Sequence, residues 1–75
     1  MHEVDARGLA CPLPLLKTKK TLNAMSPGES VRVLSTDAGS VRDFRAFCEQ
    51  TGNLLLEFSQ ENGVYTHVLQ KRAAG

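Results

Sequence analysis

The chain of 75 residues is long enough for one small core, and 41% hydrophobic with 23% charged residues is typical of a globular protein. Nine basic against eight acidic residues give a formal charge of +1, which disfavours a domain that binds nucleic acid through its phosphates. No apolar run is long enough for a signal peptide or a membrane span, so we expect one cytoplasmic domain over residues 1–75.

Hydrophobic periodicity predicts the first three elements. The stretch HEVDA is a short strand, and helical spacing predicts a helix from Pro12 to about Met25, ended by the Ser-Pro-Gly that follows. The segment ESVRVLST alternates, which predicts a strand with Val31 and Val33 on its buried face. The buried stripe of the helix is predicted to consist of Leu15, Thr18, Leu22 and Met25.

A second helix is predicted to begin near Gly39 or Ser40. Either Asp37 or Ser40 is expected to cap it, with Asp43 as the capping acid, and Gly52 to end it. Its buried face is predicted to consist of Val41, Phe44, Phe47, Cys48 and Thr51.

The last two elements, NLLLEFS and VYTHVLQ, predict a hairpin closed by a tight turn at Asn62-Gly63. The element order β-α-β-α-β-β predicts an α/β fold, a two-layer sandwich with both helices on one face of a four-stranded mixed sheet. The strand residues predicted to share a face are Leu54, Leu56 and Phe58 in the third strand and Val64, Thr66 and Val68 in the fourth. The open face of the sheet is then expected to carry Arg32, Tyr65 and His67.

The two cysteines are expected to act singly. Cys11 and Cys48 form no Cys-x-x-Cys pair, and His2 and His67 complete no zinc spacing, so no metal site is expected. Cys48 lies on the apolar stripe of the second helix and is interpreted as a small core residue. Because no spacing couples a histidine to Cys11 as a base, sulfur exchange is favoured over hydrolysis.

Cys11 stands out because Pro12 and Pro14 follow it at the predicted helix start. Proline fits the first turn, where backbone N–H groups lack helical partners, and it fixes the backbone that holds the thiol. We therefore expect an exposed sulfur at a helix N-terminus. The helix dipole, aided by Arg7 or Lys19, is expected to lower the thiol pKa from about 8.5 to about 7, so that roughly half is thiolate at neutral pH.

Gly8, upstream of the cysteine, is interpreted as a residue that allows the backbone of another molecule to come close. The lysines of the first helix, Lys17, Lys19 and Lys20, are typical of a solvated face. The functional alternative is that they and Arg7 form a docking surface around the sulfur, either for acidic partners or for tRNA carried by a partner.

Asp5, Gly8, Cys11, Pro12 and Pro14 spell the pattern D-x-x-G-x-x-C-P-x-P, which resembles that of the TusA-like (SirA-type) sulfur-carrier proteins. The stretches SPGE, STD and DFRAFCEQTGN and the closing basic strand are also similar to this family, so the resemblance spans almost the whole chain. It implies the same β-α-β-α-β-β sandwich.

The resemblance also implies a role for Cys11. In such proteins the matching cysteine accepts sulfane sulfur as a persulfide, typically from a pyridoxal-phosphate cysteine desulfurase, and passes it to an acceptor protein. Family outlets include 2-thiouridine formation in tRNA, molybdenum-cofactor maturation and sulfur trafficking. The carrier itself is then expected to bind no cofactor, metal, membrane or nucleic acid directly, and to be a monomer that forms transient complexes.

Two other functions stay open. A regulatory module that binds RNA or protein would use the sheet and the lysines and would not need Cys11; the near-neutral charge weighs against it. A redox switch would join Cys11 to Cys48 in a disulfide, which the predicted core position of Cys48 disfavours.

Overall fold

A computed structural model describes residues 1–73 and contains the six elements in the predicted order. They are β1 (His2–Ala6), α1 (Leu13–Ala24), β2 (Ser30–Ser35), α2 (Gly39–Thr51), β3 (Leu54–Glu61) and β4 (Val64–Gln70). The strands form one sheet in the order β1-β2-β4-β3, with β1 parallel to β2 and the other neighbours antiparallel. The predicted fold class, with its mixed sheet and two helices, is confirmed.

The core lies between the sheet and the two helices. Val31 and Val33 of β2 are fully buried, as predicted, and Phe44 of α2 packs among the aliphatic side chains. Residues of both helices belong to the same cluster as alternate residues of the strands, so both helices cover one face of the sheet. The buried cluster consists of Val4, Ala6, Leu22, Met25, Val31, Val33, Phe44, Cys48 and Leu69.

The helix faces differ slightly from the predicted stripes. In α1 the buried residues are Pro14, Thr18 and Leu22, and Leu15 is only half-buried. Thr18 Oγ1 donates a hydrogen bond to the Pro14 carbonyl at 2.9 Å, which satisfies its buried hydroxyl. Gly52 ends α2 in the left-handed conformation, with φ of 81°, as predicted. Within residues 1–73, neither helix has the length and apolarity needed to cross a membrane.

The expected orientation of β4 is wrong. His67 is 1% exposed and stacks on Phe44, with ring centroids 4.5 Å apart, on the face that the helices cover. Tyr65 and Leu69 share that face because side chains alternate along a strand. In β3, a register shift between Leu55 and Glu57 brings Phe58 opposite His67, and their ring centroids are 5.3 Å apart.

That shift also breaks the expected face of β3. Leu55, outside the predicted set, packs against the core, while Leu54 and Leu56 are 52% and 48% exposed. The sequence pattern alone cannot locate such a shift. Alternate residues before the shift face the core in one phase, and those after it face the core in the other phase.

Lys71, which directly follows β4, contacts the C-terminal end of α1. Its Nζ donates to the carbonyl oxygens of Leu22 and Met25, both at 2.7 Å. Carbonyls at a helix C-terminus lack i+4 partners and favour a cation. Replacing Lys71 with methionine, which keeps the chain length but removes the ammonium, should lower the free energy of unfolding in urea by about 1 to 2 kcal/mol.

The control for this prediction is Lys20→Met, at an exposed position of the same helix. We expect it to change the free energy of unfolding by less than about 0.5 kcal/mol. Equal losses in the two variants would show that the ammonium of Lys71 contributes nothing specific.

Candidate functional site

The fold brings two loops together at one edge of the sheet. Because β1 and β2 are parallel neighbours, the loop that follows β1 and the loop that follows β2 leave the sheet at the same end. Cys11 lies in the first loop, and Asp37 lies in the second. The two loops are joined by hydrogen bonds, so the cysteine is held from both sides.

Cys11 is exposed and lies one residue before the N-cap of α1. Pro12 is the N-cap and Pro14 occupies the second helical position, where neither removes a helical hydrogen bond. The peptide bond between Cys11 and Pro12 is cis. Leu13 N donates to the Ala10 carbonyl at 2.9 Å, which closes the turn around the cysteine. The expected proline-marked helix start is present, shifted by one residue.

Two carboxylates contact Cys11. Its backbone N–H donates to Asp37 Oδ2 at 3.1 Å, and its thiol donates a hydrogen bond to Asp43 Oδ2. Gly39 allows this approach, since a Cβ at that position would lie 3.0 Å from Asp37 Oδ2 and 3.5 Å from Cys11 Cβ. The sulfur therefore lies in an acidic environment.

The predicted capping of α2 is wrong because its acidic residue, Asp43, contacts Cys11. Its N-cap is Ala38, and among residues 1–73 no side chain forms a cap hydrogen bond there. Asp43 is turned toward Cys11 instead of toward its own helix start, and Ser40 Oγ donates to the Asp37 carbonyl at 2.8 Å. A carboxylate that sits three residues after a serine can thus face another loop.

The expected fall in the thiol pKa is wrong too. The hydrogen bond to Asp43 raises the pKa of Cys11 above its ordinary value, and partial loss of hydration and the charges of Asp43 and Asp37 act in the same direction. Arg42 opposes them weakly. Because Cys11 lies outside the helix, two full negative charges outweigh the roughly half charge of the helix dipole.

Gly8 shapes the loop before the cysteine. Its φ of 82° is left-handed, and its N–H donates to Thr36 Oγ1 at 2.9 Å, so it ties the β1 loop to the β2 loop. A Cβ at Gly8 would meet nothing within 4 Å, which leaves the loop surface open on that side. The glycine is required by backbone conformation, and the space above it is free for another molecule.

Asp5 organises the cations nearest the loop. Arg7 donates to both carboxylate oxygens of Asp5, at 2.9 Å each, and Lys17 Nζ donates to the Asp5 carbonyl at 2.8 Å. The Arg7 hydrogen bonds lower the pKa of Asp5 to about 2. Arg7 and Lys17 are therefore engaged within the chain, while each keeps an exposed side chain.

The other two candidate docking residues lie along α1. Lys19 and Lys20 are exposed, and the Lys19 Nζ lies 5.5 Å from the centroid of the Phe47 ring, toward α2. The structure thus gathers Arg7 and Lys17 at Asp5 and leaves Lys19 and Lys20 separate from them.

Both cysteines are free, and their environments differ. Cys48 is 8% exposed in the core, where burial raises its pKa, whereas Cys11 is at the surface. Of the two sulfurs, Cys11 is the one that a partner protein can reach.

Sequence reasoning missed Asp37 and Asp43 as neighbours of the sulfur. A usable signal was present, since a helix between two strands predicts parallel strands whose following loops are adjacent. The segment Thr36 to Asp43 follows β2 directly, and it supplies the side-chain oxygens bonded to Gly8 and Cys11.

The chain is similar to known proteins over most of its length. The family model described as Sulfurtransferase TusA matches residues 2–71. The chain is 55% identical over 70 residues to the sulfur carrier protein TusA of Allochromatium vinosum, covering 93% of this chain and 92% of that protein. It is 49% identical over 69 residues to a putative sulfur carrier protein of Neisseria meningitidis serogroup A, covering 92% and 93% of the two chains.

A solved structure shows the same fold. The crystal structure of a SirA-like protein from Desulfitobacterium hafniense matches with a TM-score of 0.84 at 28% identity, over 96% of this chain and 99% of that one. The family match covers both loops that meet at Cys11, as well as all six elements. The chain therefore belongs to the TusA family of sulfur carrier proteins.

Proposed function

We propose that Cys11 is the residue on which this sulfur carrier holds sulfane sulfur, as a persulfide. The observation that carries the proposal is an exposed, free thiol held at the junction of two loops. The second cysteine is in the core, so a protein donor has one accessible thiol to meet. Family membership supports the same assignment.

The proposed chemistry is an exchange of sulfur between thiols. The Cys11 sulfur attacks the outer sulfur of a donor persulfide, which forms one S–S bond and breaks the donor's own S–S bond. Cys11 gives up its proton, and the departing donor thiolate gains one, so no external oxidant or reductant is consumed. Attack by an acceptor thiolate on the outer sulfur of the Cys11 persulfide repeats the exchange and regenerates the carrier.

A sulfur carrier acts between a sulfur donor protein and a sulfur acceptor protein. For this chain we propose a cysteine desulfurase or another sulfurtransferase as the donor, in the cytoplasm, where thiols stay reduced. The acceptor is proposed to belong to a thiolation, cofactor-maturation or sulfur-trafficking pathway. The exposed Lys19 and Lys20 are available for docking such partners, and Arg7 and Lys17 lie near the sulfur loop.

The test is intact-protein mass spectrometry after incubation with a cysteine desulfurase and cysteine. We expect a gain of one sulfur atom that dithiothreitol removes, and peptide mapping of the alkylated persulfide should locate it at Cys11. A sulfur located at Cys48, or no gain with several desulfurases and with thiosulfate-dependent donors, would contradict the proposal.

A further inference from the structure

In the free carrier, more negative than positive charge lies close to Cys11. Asp43 and Asp37 approach the cysteine from α2 and from the loop after β2, and the ion pairs among residues 1–73 involve neither. The cations of the cysteine's own segment, Arg7 and Lys17, are engaged at Asp5. Arg42 of α2 is the cation that acts on the sulfur, and it opposes the carboxylates without outweighing them.

This arrangement restrains the thiol. Sulfur exchange needs the thiolate, because the thiol is a poor nucleophile. While the Cys11 thiol donates its hydrogen to Asp43, the proton is held on the sulfur, and a thiolate formed there would face a carboxylate at hydrogen-bonding distance. The free protein therefore limits reaction of the exposed sulfur by keeping it protonated, and not by burying it.

We propose that Asp43 holds Cys11 as a neutral thiol in the free carrier, and that a sulfur-exchange partner releases it by placing a cation against Asp43. The inference rests on the proposed function, and it assigns the chemistry of the partner surface at the same sulfur. When the partner's cation pairs with Asp43, the Cys11 proton passes to water, and the sulfur attacks the partner's outer sulfur. One S–S bond forms as another breaks, and the leaving thiolate takes a proton from water.

The first test measures the free carrier alone. Alkylation of Cys11 by iodoacetamide, a neutral reagent, is followed by peptide mass spectrometry from pH 6 to pH 10 in wild type, Asp43→Asn and Glu49→Gln. Asparagine keeps the size of Asp43 but removes its charge, so the midpoint of the pH profile should fall. The rate at pH 7 should rise only about threefold, since nucleophilicity falls with thiol pKa.

Glu49→Gln is the matched control because it removes the same charge from an exposed position of the same helix, without contact with Cys11. It should leave the profile unchanged. A midpoint in Asp43→Asn equal to that of wild type, or higher, would overturn the restraint. So would an equal shift in both variants, which would show a general charge effect.

The second test asks whether a cation releases the sulfur. Rates of exchange with Cys11 are compared for cystamine, hydroxyethyl disulfide and dithiodiglycolate, which are cationic, neutral and anionic disulfides. The ratio of the cystamine rate to the dithiodiglycolate rate should be about 16-fold larger in wild type than in Asp43→Asn. A unit charge roughly 5 Å from Asp43 in water changes the rate by about fourfold, and the two reagents carry charges of opposite sign. Intrinsic differences between the disulfides cancel in this comparison, and 1 M salt should reduce it.

Equal ratios in wild type and Asp43→Asn would overturn the cation's role. These experiments use no sulfur donor, so they succeed or fail independently of persulfide loading. If desulfurase loading fails while the alkylation midpoint shifts, the proposed function is wrong and the restraint stands. If loading succeeds and the midpoint does not shift, the proposed function stands and the restraint by Asp43 is wrong.

Discussion

Sulfur loading should be abolished when Cys11 is replaced with serine. The hydroxyl cannot form a persulfide, and the remaining cysteine, Cys48, is 8% exposed and lies on the buried face of α2. After incubation with a desulfurase and cysteine, intact mass spectrometry should show the full gain of one sulfur in wild type and none in Cys11→Ser. Relay to an acceptor protein should fall to the level seen without carrier.

The fold of Cys11→Ser should be intact, which separates loss of chemistry from loss of structure. The side chain at this position is exposed, its backbone N–H bonds Asp37 regardless of the residue, and a serine hydroxyl can still donate to Asp43. The midpoint of urea unfolding should therefore match that of wild type. A variant that unfolded early would weaken the test, and Cys11→Ala would then replace it.

Cys48→Ala is the control that removes the other thiol without burying a hydroxyl. It should load one sulfur like wild type, although the small cavity it leaves lowers stability. The assignment would be contradicted if Cys48→Ala lost the sulfur and Cys11→Ser kept it. Loading in both single variants would show that neither cysteine is the unique carrier.

The sequence predicts the fold well because local signals agree. Val31 and Val33 alternate in β2, Gly52 ends α2, and Asn62-Gly63 closes the hairpin, so every element was found in order. Once a helix connects two strands, few topologies are possible for so short a chain.

The face of β4 was not predictable in the same way. Either set of alternate residues in VYTHVLQ has enough apolar character to be buried. The choice is made by register, since His67 pairs with Val33 and Leu69 with Val31 of the distant β2. A non-local pairing of this kind leaves no local mark on the sequence.

In the candidate site, too, local features are predictable from the sequence and non-local contacts are not. Cys11 and its prolines form a local motif and were predicted. Asp37 and Asp43 lie 26 and 32 residues further along the chain, and an acid near a helix start is ordinarily a cap. Their contact with the sulfur appears only once β1 and β2 are seen side by side.

His67 should make the fold sensitive to mild acid. Burial lowers the pKa of this imidazole from 6.5 to about 4, and the charge of Arg45 adds to the effect. The neutral ring is stabilised in the folded state, so this contribution is complete above pH 6.5 and is lost as the pH falls toward 4. Between pH 7.5 and pH 5.0 the free energy of unfolding in urea should fall by about 2 kcal/mol.

The hydrogen bonds indicate which nitrogen carries the proton. Ser40 Oγ donates its one hydrogen to the Asp37 carbonyl, so the bond of 3.2 Å between Ser40 Oγ and His67 Nε2 is donated by the imidazole. Nδ1 is then the unprotonated nitrogen, and among residues 1–73 it has no partner. Adding a proton there places a charge between Phe44 and Phe58 with no acceptor, which is why protonation favours unfolding.

Two variants test this origin of the acid sensitivity. His67→Leu removes the titrating ring, so its stability, although lower at pH 7.5, should be nearly constant down to pH 5.0. His2→Gln removes the exposed histidine that contacts Glu29, and it should retain the wild-type fall. The range stops at pH 5.0 because the lowered pKa values of Asp5 and Glu29 act mainly in more acidic solution. A wild-type slope that persisted in His67→Leu would assign the acid sensitivity to other groups. A slope that disappears assigns the acid sensitivity to the His67 ring, which donates to Ser40 of α2, the residue that donates in turn to Asp37 in the loop beside Cys11.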